Sequence, residues 1–277
     1  MGLIDFILNL AGLLLWLNWR ATKADPLGAR KPATLLGTLR RAEPSRWRRW
    51  HLPAALGGLL LLRAVFYWQI GSTTTPVWSG KLDLGISVPS FISSSFVQML
   101  LFSFFSFGLT LGIFYLWLLF LSIVSDRNAE SEPIRQLVHV QLGVIDRWPR
   151  LLKLFLPLVI TMLVWWMASW LFDPKQISSL RRAEESLLVG LGSYLTWKFI
   201  AVAVLVLHLL NTYVYFGPHP FWNYVNGAAR TLLKPLRKLP LQMGKMDFAP
   251  VVEIALIFFI AELAERGLGA LYGRLPL

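Results

Sequence analysis

Apolar positions in this chain come in long blocks separated by short polar stretches. The six blocks are residues 3–19, 52–70, 96–124, 151–172, 187–216 and 248–264. A helix crosses a bilayer core with about 20 apolar residues, so each block predicts a crossing. The third and fifth exceed that length and should tilt or project beyond the hydrocarbon. The first is open to two readings, a short retained span or an amphipathic helix lying on the membrane. It lacks the basic flank and small-residue site of a cleaved signal peptide.

Two stretches between blocks have helical period but too much charge to cross. Phe221, Tyr224, Val225, Ala228, Ala229, Leu232 and Leu236 share one face, and Arg230, Lys234 and Arg237 fall away from it. Ile134, Leu137, Val138, Ile145 and Trp148 make a poorer stripe. Both patterns predict interfacial helices with the apolar face toward lipid. Pro235 should end or kink the second. Residues 71–95, rich in Gly, Ser, Thr and Pro, predict a connection without regular helix.

The predicted fold is therefore an all-α polytopic membrane protein of about six transmembrane helices with two interfacial amphipathic helices. Residues 1–95 read as an N-terminal transmembrane hairpin with a basic loop and an outer loop. Residues 96–173 and 187–277 read as two copies of a span–amphipathic helix–span unit. Both copies start on the same side, so the duplication is parallel.

Composition agrees. Hydrophobic residues make up 56% of the chain and charged residues 15%, against about 25% charged in soluble domains. The net charge of +12 would suggest nucleic acid on a soluble protein. Here the cations gather in alternate connectors: nineteen between blocks one and two, three and four, and five and six, against six on the other side. The positive-inside rule explains that better. It places those connectors in the cytoplasm and both termini outside, and no nucleic acid is expected. The absence of cysteine excludes disulfides, thiolate metal sites and iron–sulfur clusters. His51, His139, His208 and His219 are scattered, and no metal or cofactor is expected.

The stretch "KPLRKLPLQMGKMDFAP" at 234–250 gathers cations ahead of one acid. Arg230, Lys234, Arg237, Lys238 and Lys245 can contact anionic headgroups or a partner, at about 1 kcal/mol per cation near the surface. Gly244 permits a turn. Asp247 is placed to cap the final helix, with Pro250 in the first turn, where no N–H is needed. These residues resemble the YggT (YlmG) family of small membrane proteins. Lys234, Pro235, Leu236, Arg237 and Lys238 match its Pro-rich basic segment. Gly244, Met246, Asp247, Phe248 and Pro250 match its Gly–Gly-hydrophobic-Asp–Phe–Ser–Pro element, with Lys245 for the second Gly and Ala249 for Ser. The likeness covers about 187–265, is weak over 96–172 and is absent before 95. The first copy lacks the Asp–Phe–x–Pro element. The resemblance implies a non-catalytic membrane protein, since members are linked to osmotic stress tolerance, division or nucleoid organisation, and haem attachment to plastid cytochrome b6f.

Arg63, Lys198 and Glu262 are candidate intramembrane charges, which are functional by default. By depth, Arg63 or Lys198 could pair with Glu262. The alternatives are snorkelling and an ordinary pair between Glu262 and Arg266. Gly108 and Gly112 suggest close helix packing, within this chain rather than between copies. No phosphate loop, nucleophile elbow or zinc-protease helix is present, so the expected protein is not an enzyme. The leading function is a scaffold or an assembly or stress-related subunit of another envelope complex, with membrane lipids and a second membrane protein as partners. The other is a small ion or solute transport protein with its pathway at the repeat interface.

Overall fold

The computed structural model describes residues 2–24, 48–73, 78–82, 90–125, 133–172, 179–214, 219–236, 242–243 and 246–273. Backbone polar groups find no water in hydrocarbon, so apolar runs close their hydrogen bonds internally as helices. The long helices are α1 (Gly2–Ala24), α2 (Arg48–Thr73), α3 (Phe96–Val124), α5 (Arg150–Phe172), α6 (Ser179–Gly192), α7 (Trp197–Tyr213) and α9 (Ala249–Tyr272). The short ones are α4 (Pro133–Leu142) and α8 (Pro220–Leu232).

Five helical stretches among the described residues are long and apolar enough to cross a membrane: Gly2–Arg20, Trp50–Gly71, Phe96–Val124, Arg150–Ser169 and Ser179–Tyr213. They match the first five apolar blocks. The sixth block forms α9, whose 24 residues would reach about 36 Å. It carries Glu253, Glu262, Glu265 and Arg266 and is not among the five.

The chain divides into two compact units. The first holds residues 1–82 and 89–112. Here α1 and α2 run antiparallel: Asp5, early in α1, meets Arg63, late in α2, and Gly12 faces Leu56. This pairing favours a crossing over a surface helix for residues 3–19. A side chain at Gly12 would sit 2.8 Å from the Phe107 ring, so glycine is what lets α1 lie this close. The last residues of α2 reach into the connection at 71–95, and beyond Thr73 its described residues contain no helix. It does contain an antiparallel pair, β1 (Ser79–Lys81) and β2 (Ser90–Ile92), in register Gly80 with Phe91. Tyr67, Leu82, Phe91, Met99 and Phe102 form a core beneath it. Gly108 and Gly112 face open space, so the expected packing of that motif within the chain does not occur. Neighbouring helices in this unit meet α3 on other faces, at Ser103, Ser106 and Phe107.

The second unit holds residues 83–88 and 113–277. Leu118 and Leu119 of α3 pack on Val138 and Leu142 of α4. Phe120 and Val124 pack with Ala201, Val204 and Leu205 of α7 and with Ala228, Ala229 and Leu233 in and after α8. Ala249, Ile254 and Ile257 of α9 close this core. The α8 stripe is thus buried against the chain's own helices instead of facing lipid. Those helices offer complementary apolar surface, and Arg230 and Lys234 remain exposed as expected. In α4 the expected stripe holds in part: Val138 is buried, and Ile134 and Ile145 pack against the same core. Leu137 and Trp148 are exposed, whereas Arg135 and Gln141 are buried. The ion cluster described below draws Arg135 inward.

The fifth span is broken. Residues Ser193–Thr196 form a 3-10 turn between α6 and α7. A tighter turn disturbs the helical bonding ladder, and side chains bind carbonyls around it. The Trp117 indole donates to the Thr196 carbonyl at 3.0 Å, and the Trp197 indole donates to the Leu116 carbonyl at 3.1 Å. The Tyr194 hydroxyl donates to the Leu154 carbonyl on α5. Below the break, α5 and α6 pack tightly, and a side chain at Gly190 would meet the Leu158 carbonyl at 3.1 Å.

Candidate functional site

The polar groups of the second unit gather where α4 hands over to α5. Gly143 adopts φ +56°, a conformation that favours glycine, and opens a 3-10 turn over Gly143–Arg147. That turn carries Asp146 inward. Its Oδ1 accepts from the Ser122 hydroxyl at 2.5 Å and from Arg135 at 3.1 Å, with the Lys153 ammonium at 3.5 Å. Its Oδ2 lies 3.0 Å from Nδ1 of His139. Lys153 also donates to the Asp146 carbonyl at 2.6 Å and to Ser122 at 2.7 Å. Asp146, Arg135 and Lys153 are buried, and His139 is half exposed. Burial alone would raise the Asp146 carboxyl. The bonds from Ser122 and His139 and the charges of Arg135 and Lys153 outweigh it and hold the group below the ordinary carboxylate range.

Sequence reasoning missed this cluster, yet a signal for it was present. Gly143, Asp146 and Pro149 repeat the spacing of Gly244, Asp247 and Pro250, and each set leads into a long helix, Pro149 just before α5 and Pro250 in the first turn of α9. Residues 96–173, expected to lack the Asp–Phe–x–Pro element, thus hold a Gly, an Asp and a Pro at its spacing, with Arg147 at the position of the Phe. The long basic segment before Gly244 has no counterpart before Gly143, and this difference hid the correspondence.

Asp247, expected to cap the final helix, lies one residue before the cap position of α9. Its backbone pairs with Gln242 in a two-strand hairpin, β3 (Gln242–Met243) with β4 (Met246–Asp247). This pairing delays the helix start to Ala249. Phe248 occupies the cap position without a side-chain bond, and Pro250 sits buried in the first turn as expected. Pro235 lies in an exposed turn just beyond α8. Arg237, Lys238, Gly244 and Lys245 lie outside the described residues.

The candidate intramembrane charges pair differently from the expectation. Within the first unit Arg63 is fully buried. It donates to Asp5 at 2.6 Å, Asn9 at 2.7 Å and Ser106 at 2.8 Å. Tyr67 also donates to Asp5 at 2.6 Å, and the guanidinium lies 5.3 Å from the Phe102 ring centre. Asp5, across the α1–α2 hairpin, is the acid within reach. Within the second unit Lys198 pairs with Glu265 at 3.2 Å, and Glu262 pairs with Arg266 at 2.7 Å one turn along its own helix. His208 contacts Asn226 at 2.7 Å, tying α7 to α8. Among the described residues no set of three or more His, Asp or Glu side chains could hold a metal ion.

Apolar spans with internally paired charges define an all-α polytopic membrane protein. Its C-terminal part, residues 185–268, matches the CCB3/YggT family model, so the resemblance read from the basic segment and the Asp–Phe–x–Pro element is shown there. That match covers the second half of α6, the 3-10 turn, α7, α8 and most of α9. No curated protein and no solved structure matches the chain.

Proposed function

We propose that this protein is a non-catalytic subunit of the bacterial cytoplasmic membrane that scaffolds or assists the assembly of another envelope complex. The observation that carries the reading is the family match over 185–268, to a family that is not one of enzymes. The pairing of Arg63 with Asp5, of Asp146 with Arg135 and Lys153, and of Lys198 with Glu265 supports it. Groups that hold one another in this way serve assembly of helices and leave little to bind a solute. The exposed Arg230 and Lys234, continuing into Arg237, Lys238 and Lys245, offer contacts to anionic headgroups or an acidic partner. On this reading residues 96–173 and 187–277 are two copies of one unit. The recurring order of long helix, short helix and long helix, in α3–α5 and again in α7–α9, supports that division.

Purification in mild detergent tests the reading. A second membrane protein should co-migrate at fixed stoichiometry, and Arg237→Glu with Lys238→Glu should reduce its recovery several-fold. A chain that elutes alone, and that supports flux in vesicles abolished by Lys198→Ala or Glu262→Gln, would favour the transport reading instead.

A further inference from the structure

Among the described residues of the second unit, Arg135, Asp146, Lys153, Lys198 and Glu265 are paired, and Glu253 is not. Glu253 lies in the second turn of α9 and is 8% exposed. Its Oε2 is buried with no hydrogen-bond partner. It shares the buried face of α9 with Pro250, Ile254, Ile257 and Ala261, the face turned to α7 and α8. Burying an ionised carboxylate without a counter-charge or donor is prohibitive, and such a group neutralises by taking up a proton.

Its level along the neighbouring helix follows from how α9 packs on α7. Lys198, at the start of α7, meets Glu265, late in α9, and Leu205 shares a cluster with Ile254 and Ile257, early in α9. The two helices are therefore antiparallel. Moving equal numbers of turns away from the Lys198–Glu265 pair places Glu253 level with His208 and Asn211, the two α7 residues that contact Asn226 of α8. Among the described residues, the titratable and charged groups of α7 and α8 along this half of α9 are His208, Tyr213, Tyr224 and Arg230. His208 is engaged by Asn226 and Arg230 is exposed. Neither supplies Glu253 with a counter-ion. Glu253 also sits only four residues inside the helix start at Ala249, a rise of about 6 Å. A proton has a short path to the interface.

We propose that Glu253 is an exchangeable proton-binding site inside the apolar part of the molecule, carried at neutral pH as the uncharged acid. It binds a proton from water at the membrane surface next to the β3–β4 hairpin and returns it there. The site goes beyond the assembly role, which needs no titrating group in a span. It also moves any ion-linked activity away from Lys198 and Glu262, which are paired, to a residue that is not.

Infrared difference spectroscopy on the full chain in lipid vesicles tests the proposal. At neutral pH the protein should show the carbonyl stretch of a protonated carboxyl in an apolar setting. The band should shift to lower frequency in deuterium oxide and vanish in Glu253→Gln, a neutral isostere expected to fold. A hydrophobic carbodiimide should label Glu253 in peptide maps and leave Glu262 and Glu265 at least ten-fold less modified. Absence of the band, its survival in Glu253→Gln, or no shift on deuteration would each overturn the proposal. Labelling of Glu262 or Glu265 in preference to Glu253 would do the same. The assembly reading is untouched by any of these outcomes, because partner recovery is measured separately.

Discussion

Arg63→Ala is expected to be the most damaging single substitution in the first unit, at about 3–5 kcal/mol, the usual result of stripping one partner from a buried ion pair. The guanidinium is fully buried and supplies donors to Asp5, Asn9 and Ser106, which lie on two other helices. Without it the Asp5 carboxylate keeps only the Tyr67 hydroxyl, and the polar attachment of α1 is reduced to that bond with α2 and the Asn9–Ser106 bond with α3. Asp5→Asn should cost less, because Arg63 would retain Asn9, Ser106 and the Phe102 ring. Glu262→Gln breaks a pair that is largely exposed, and pairs of that kind contribute about 0–1 kcal/mol. Thermal unfolding in detergent and steady-state membrane abundance should rank the three variants in that order.

Asp146→Ala is expected to be comparably severe in the second unit, again about 3–5 kcal/mol. It leaves Arg135 and Lys153 buried near each other with their shared acceptor gone. The cluster also sets a pH dependence. The folded-state Asp146 carboxyl sits below its ordinary value, which is about 4 in an unfolded chain. Its contribution is therefore complete above about pH 4. It is lost as pH falls through the lower folded-state value, because the unfolded chain then takes up the proton first. Melting temperature measured against pH should fall at the acid end in the wild type, and Asp146→Asn should flatten that slope while lowering stability at neutral pH. A wild-type profile matching that of Asp146→Asn would remove the cluster from the account.

What the sequence disclosed follows from the solvent it is built for. Lipid demands apolar runs near a fixed length, so five spans stood out from block lengths alone. Periodicity also disclosed that α4 and α8 are helices, with Arg230 and Lys234 on the open side of α8. It could not say what would cover the apolar stripe of α8, because an amphipathic helix looks the same whether it rests on lipid or on α7 and α9. Partner choice was hidden for a similar reason. Arg63 has several acids within plausible depth, and only the antiparallel approach of α1, made close by Gly12, selects Asp5. The break at Ser193–Thr196 lies inside an otherwise apolar run and is marked by no proline. The indoles of Trp117 and Trp197, which bind carbonyls beside it, are far apart in sequence. Asp146 was legible in principle through the Gly–x–x–Asp–x–x–Pro spacing it shares with Asp247. The pairing of Asp247 with Gln242 was not, because a two-residue bridge leaves no periodic trace.

The account rests on cation-rich connectors staying on one face of a bilayer, and the absence of native cysteine makes that directly measurable. Single cysteines placed at Lys81, Lys175 and Arg274, or at Arg46, Arg127 and Lys238, can be probed with a membrane-impermeant maleimide in sealed right-side-out vesicles. The first three should label at once. The second three should label only after the vesicles are opened. Immediate labelling at Arg46, Arg127 or Lys238 would contradict the account.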